Sequence, residues 1–169
     1  KAFIAQTHRH AIGDPLLFTI GERPALFQMA VTGTGAAPDV QVEGILDGTS
    51  LGVLCLDGPA ELSANIDLAS ANFDEYFSVT LPKAWVMIGL ELRLTAGTDN
   101  RTLTQEDLLI RPYSELNLVL VDMDIMDYNN DPHRTPVFDN FLQEVASSIP
   151  ASTIRFGKFP GTLVMPDLA

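Results

Sequence analysis

Three histidines, one acidic run and one cysteine are the places in this sequence where chemistry could be held. His8 and His10 stand two residues apart and would project from the same side of a strand, a spacing that suits two ligands of one zinc ion. The sequence offers no identifiable third ligand, and with Arg9 between them the pair reads as solvated. His133, beside Pro132 in a turn-rich stretch, reads as an exposed loop residue, and no HExxH occurs anywhere. Asp127, Asn129 and Asp131 reproduce the alternate spacing of the first three oxygen ligands of a calcium loop, with Asp122 and Asp124 close by. Pro132 stands where that loop needs glycine, and Phe138 where it needs a bidentate glutamate. Two readings follow, a solvated acidic turn, which both departures favour, or a calcium site.

Nucleophilic catalysis finds little support in the chain. There is no GxSxG elbow, and Cys55 lies in the apolar run SLGVLCL without a local activating partner, so it reads as a buried small hydrophobe. The acid pairs Asp74/Glu75 and Glu106/Asp107, read as strand residues, would point to opposite faces and act as solubilising charges. Gly33-Thr-Gly35 lacks the third glycine and the following helix of a dinucleotide cradle. No catalytic, cofactor-binding or metal residue is assigned.

The elements that would position any such group are strands. Phe77, Val79 and Leu81, then Leu90, Leu92 and Leu94, alternate on either side of a corner at Pro82–Trp85, which reads as strand, tight crossover, strand. Trp85, the single tryptophan, would plug the end of a core between two sheets. Lys1–His8 reads as a first edge strand, 16–20 and 24–31 as a hairpin or consecutive strands, and 40–56 as a hairpin turning at Asp47-Gly48. Residues 60–72 read as a surface loop, 97–100 as a turn, and 115–121 as a strand with Leu116, Leu118 and Leu120 on one side. The character changes beyond Met123. Thr135-Pro136 starts an amphipathic helix at 136–148 carrying Phe138, Phe141 and Leu142, and short extended pieces at 153–156 and 162–165 follow. The expectation is a mainly β chain, a sandwich or barrel, divided into a β domain at 1–123 and a linker, helix and connection at 124–169.

Composition narrows the partners. The chain has 169 residues, 46% of them apolar, enough for a substantial core. With 22 acids against 10 bases its net charge is −12, which repels nucleic acid and anionic membrane surfaces. No apolar run approaches the about 20 residues of a transmembrane helix. A chain that starts at Lys1 and stops at Ala169 reads as a portion of something longer.

Several phrases together resemble the N-terminal region of the secreted zinc metalloproteases of the StcE and TagA type, the ToxR-regulated lipoprotein family that cleaves mucin-like glycoproteins. They are FIAQTH at 3–8, IGERPALF at 20–27, LDGTSLGVLCLDGPAEL at 46–62, VTLPKAWVMIGLELRL at 79–94 and FLQEVASSIPASTIRFGKFPGTLVMP at 141–166. They span most of the chain in the family's order. The resemblance implies an immunoglobulin-like antiparallel β-sandwich followed by a helix and short strands that lead to a catalytic domain holding zinc. This chain stops before any HExxH, so no residue inherits a catalytic or zinc-binding role. The implied parent is extracellular or surface-attached, and the implied partners are its own catalytic domain and a glycoprotein substrate. The alternative is a stand-alone adhesin or carbohydrate-binding module, for which Tyr76, Tyr113 and Tyr128 are the candidate rim aromatics.

Overall fold

The computed structural model of the chain describes residues 1–68, 73–112, 114–126, 132–134, 144, 148, 149 and 151–165. Two compact units are present, Lys1–Tyr113 and Ser114–Ala169. The chain is mainly β and sandwich-like, and the described residues form no closed barrel.

The first unit contains β1 (Ala2–Ala5), β2 (Arg9–Ala11), β3 (Thr19–Ile20), β4 (Ala25–Met29), β5 (Gly35–Ala36), β6 (Val40–Leu46), β7 (Thr49–Cys55), β8 (Glu61–Leu62), β9 (Phe77–Leu81), β10 (Leu90–Ala96), β11 (Asp99–Leu103) and β12 (Ile110–Arg111). A single turn of helix, α1 (Gln105–Leu108), precedes β12, and a 3-10 turn at Phe73–Glu75 precedes β9. Two four-stranded antiparallel sheets carry the unit, in the orders β2-β1-β4-β9 and β11-β10-β6-β7. One face of each enters a shared core, with Ile4, Ala25, Phe27, Phe77 and Leu81 from the first sheet and Val40, Val42, Leu90, Leu92, Leu94 and Leu103 from the second. Strand alternation explains these sets, since every second residue of a strand faces the same way. At one margin the sheets are stitched together where Asp57, just past β7, exchanges two backbone hydrogen bonds with Ser78 of β9, at 3.0 and 2.7 Å.

The corner at Trp85 is built from local hydrogen bonds. Trp85 N donates to Pro82 O at 2.9 Å, Met87 N to Trp85 O at 2.7 Å and Leu90 N to Met87 O at 3.0 Å. The chain thus crosses from the first sheet to the second in a few residues and drops Trp85 and Val86 into the core. The indole lies over a cross-strand glycine pair, Gly44 of β6 and Gly52 of β7. A Cβ on Gly44 would stand 2.6 Å from the ring, inside any permitted contact, so glycine there makes the seat for the tryptophan. The β6–β7 hairpin turns at Asp47 and Gly48, both in the left-handed region at φ 49° and 75°, as a two-residue turn between twisted strands requires.

Several expectations need correction. β1 lies inside its sheet, between β2 and β4, and the edge belongs to the short strand β2. Of the two readings of 16–20 and 24–31, consecutive strands holds and the hairpin does not. β3 pairs in parallel with β12, while β4 fills the place between β1 and β9. The polar stretch Asp99–Leu103, read as a turn and its exit, is a strand opposite β10, joined to it by a two-residue turn at Gly97-Thr98. As an edge strand with four of its five residues exposed, it carries no apolar period to betray it.

The second unit holds β13 (Glu115–Met126), β14 (Pro132–Arg134) and β15 (Thr153–Met165), in the order β14-β13-β15. β13 pairs in parallel with β15 over most of its length and antiparallel with β14. Leu116 and Leu118 are half-buried while Glu115, Asn117 and Val119 are exposed, which matches the expected alternation. Its pairing places residues 114–123 in this unit, whereas the sequence reading groups them with the sandwich. The two short extended pieces at 153–156 and 162–165 are one continuous strand. The helix expected at 136–148 lies outside the described residues apart from Glu144 and Ser148, both helical, with Ser148 Oγ donating to Glu144 O at 2.8 Å.

Candidate functional site

At one end of the first unit, three segments are tied together by side chains that serve as backbone clamps. Thr104 opens α1 with its backbone N–H donating to the Asp107 carboxylate at 2.9 Å. Leu109, left-handed at φ 47°, closes the turn. The Gln105 amide accepts from Gly89 N at 3.0 Å and donates to Ile110 O at 2.9 Å, joining the tryptophan corner to β12. Thr19 Oγ1, fully buried, donates to Leu108 O at 3.1 Å. The Gln6 amide holds the next turn by accepting from Ile20 N and donating to the carbonyls of Ile20 and Arg23, at 2.8, 2.8 and 3.1 Å. Burial lowers the pKa of Arg23 from its usual value, and its guanidinium reaches Gln6 O at 3.4 Å.

This framework leaves a hollow of about 210 Å³ lined by Gly21, Glu22, Met87, Ile88, Arg111 and Pro112. Glu22 stands there with φ 57°, a conformation that is uncommon for a residue with a side chain. Only Glu22 and Arg111 of the six are ionisable. Leu16, Phe18 and Ile88, on two of the same segments, are each more than half exposed. The chemistry available is contact with an apolar group flanked by one acid and one base.

A second arrangement occupies the outward face of the first sheet. Phe3 of β1 stands directly opposite Gln28 of β4 and Ala11 of β2. The guanidinium of Arg9 lies between two aromatic rings, its carbon 3.9 Å from the centroid of Phe3 and 4.2 Å from that of Tyr76. The rings meet edge to face at 5.6 Å. Gln28 and Tyr76 are each 1% exposed, yet both amide atoms of Gln28, the Tyr76 hydroxyl, and Nε and Nη2 of Arg9 are buried without a hydrogen-bond partner among the described residues.

Of the residues singled out in the sequence, His8 is exposed and His10 half-buried, its Nδ1 3.2 Å from Asp14 Oδ2. The Asp14 pKa is lowered, first by the Leu16 N–H that donates to it and then by His10. His133 lies in β14. Asp127, Asn129, Asp131, Tyr113, Tyr128, Phe138, Phe141 and Leu142 lie outside the described residues. Among the described residues, no three His, Cys, Asp or Glu side chains converge as metal ligands would. Cys55 is exposed, against the expectation of burial. Its run is apolar at both parities and so does not say which face is inside; β7 is an edge strand whose Val53 and Cys55 share the outer face with Gln41 and Glu43. Asp74 and Glu75 sit in the 3-10 turn and Glu106 and Asp107 in α1, not on strands, and Asp107 serves as a cap. Sequence reasoning missed the Arg9, Gln28 and Tyr76 group, and the available signal was a lone glutamine inside the apolar strand ALFQM.

No helix among the described residues is long and apolar enough to cross a membrane. Neither a known protein family nor a curated protein matches the chain.

Proposed function

We propose that this chain is the non-catalytic β-sandwich region of a secreted zinc metalloprotease that acts on mucin-like glycoproteins, serving as a scaffold for the catalytic domain or as a region that engages the substrate. The observation that carries the reading is the tryptophan corner. The phrase VTLPKAWVMIGLELRL, central to the resemblance, is also the stretch that crosses between the sheets and fills the core. The phrase LDGTSLGVLCLDGPAEL supplies the turn and second strand of the hairpin, with Gly52, over which Trp85 lies. Zinc would belong to the parent's catalytic domain, and the parent would be extracellular or surface-attached. The exposed Leu16, Phe18 and Ile88 suit a surface that works by contact.

The test is incubation of the purified chain with a mucin-type glycoprotein in the presence of zinc. The glycoprotein is expected to stay intact, and turnover by the chain alone would overturn the reading. Retention of the chain on immobilised mucin would select substrate engagement over scaffolding. For a stand-alone carbohydrate-binding module, Tyr76 is buried and offers no rim aromatic, Phe18 and Phe73 are exposed aromatics among the described residues, and Tyr113 and Tyr128 lie outside them.

A further inference from the structure

The Arg9 group is chemically incomplete, and the missing part has a definite character. A guanidinium offers two faces and an edge. The guanidinium carbon of Arg9 lies over the rings of both Phe3 and Tyr76, which stand at right angles, so the group sits in the notch between them with one ring at most stacked on its face. The edge that carries Nε–H and Nη2–H in parallel is the one that grips a carboxylate with two hydrogen bonds, and both of these nitrogens are buried without an acceptor among the described residues. In a chain with 22 acidic residues, none of those described stands within ion-pair distance of Arg9. Two guanidinium N–H groups buried without an acceptor are costly, as is a buried amide with both atoms unpaired.

The neighbours share the deficit. Gln28 adjoins Phe3 in the sheet register and brings an amide N–H pair; Tyr76 brings a hydroxyl donor. Four donor groups on one face of one sheet therefore lack an acceptor among the described residues, and Arg9, only half-buried, keeps the rim of the group in touch with solvent. Water would satisfy the donors singly, without the paired geometry that the Nε–H and Nη2–H edge presents. A planar carboxylate supplies a negative charge together with up to four lone-pair directions.

We propose that Arg9, with Gln28 and Tyr76, forms a carboxylate-binding site on the outward face of the first sheet, the guanidinium edge taking the two oxygens and the amide and phenol completing the shell. The site is independent of the metalloprotease reading. The carboxylate could come from a small free acid or from an acidic side chain of a partner polypeptide, and the two sources are separable by experiment.

The full chain, labelled with ¹⁵N, is titrated at pH 7 with sodium acetate, with a tetraglutamate peptide, and with sodium chloride at matched ionic strength. The Arg9 Nε–H resonance is followed by NMR and the thermal midpoint by circular dichroism. A carboxylate site predicts a saturable downfield shift of that resonance and a midpoint rise of about 3–6 °C with acetate or the peptide, and neither with chloride. Saturation by acetate alone identifies a small free acid, and markedly tighter binding of the peptide identifies a polypeptide partner. Arg9→Met should abolish the midpoint rise and Gln28→Met should weaken it; should Arg9→Met fail to fold, the wild-type resonance and Gln28→Met still decide. Equal responses to acetate and chloride, no movement of the resonance, or an undiminished rise in either variant would overturn the proposal.

Discussion

Substituting Gly44 by alanine should damage the sandwich far more than a single methyl group suggests, and only because Trp85 is present. The added carbon would lie 2.6 Å from Cε3 and 2.9 Å from both Cδ2 and Cζ3 of the indole. These atoms belong to the rigid six-membered ring, which cannot swing aside as a flexible chain end would. The ring is 8% exposed and sits in the main core cluster, so it has no room to retreat without repacking its neighbours. Overpacking of this kind costs about 1–3 kcal/mol. Trp85→Ala alone should cost about 3–5 kcal/mol through lost burial and the cavity left behind. In the double variant the added methyl enters the space vacated by the ring, and the Gly44→Ala penalty should fall to near zero or reverse. The coupling between the two substitutions is then about 1–3 kcal/mol in magnitude. Urea unfolding followed by circular dichroism, completed as a four-member cycle, measures it. If Gly44→Ala is harmless in the wild type, or costs as much in the Trp85→Ala background as in the wild type, the indole does not rest on β6 and the account of the corner is wrong.

Three other outcomes follow from the same geometry. Gln105→Leu removes the clamp on Gly89 N and Ile110 O and should destabilise the first unit by about 1–3 kcal/mol for each group left unpaired; an unchanged urea midpoint would remove the clamp from the account. Asp14 has a folded pKa below its ordinary value of 3.8, so the unfolded chain binds more protons between the two values and stability rises with pH there. Its contribution is complete above 3.8 and disappears as pH falls through the lowered value; the difference in thermal midpoint between wild type and Asp14→Asn should therefore shrink on going from about pH 6 to about pH 2.5. Cys55, on the open face of an edge strand, should react with a thiol reagent in native buffer nearly as fast as in denaturant, and strong native protection would place β7 elsewhere.

Much of the sandwich was legible where one face is wet and the other dry. Phe77–Leu81 and Leu90–Leu94 announce their strands because the core-facing residues are large and alternate with polar ones, and Asp47-Gly48 announces its turn because few residue pairs tolerate two left-handed conformations. Legibility fails at the edges. Asp99–Leu103 is polar nearly throughout, and Thr49–Cys55 is apolar on both faces, so neither pattern reports which side chains are covered. The register partners of short strands are equally invisible, since the pairing of Thr19–Ile20 with Ile110–Arg111 depends on Gln105, Thr19 and the left-handed Leu109 and not on any period. The Arg9 group lay hidden for another reason. Phe3, Arg9, Gln28 and Tyr76 are spread over four segments, and only the register of β1 with its neighbours brings the first three side by side.

The functional reading depends on the tryptophan corner joining the two sheets, and proton NMR tests that arrangement most directly. The account predicts nuclear Overhauser contacts from the Trp85 six-membered ring to the Hα protons of both Gly44 and Gly52, with the Gly44 Hα protons moved strongly upfield by the ring lying over them. Ordinary chemical shifts for Gly44, with no contact between the indole and either glycine, would contradict it.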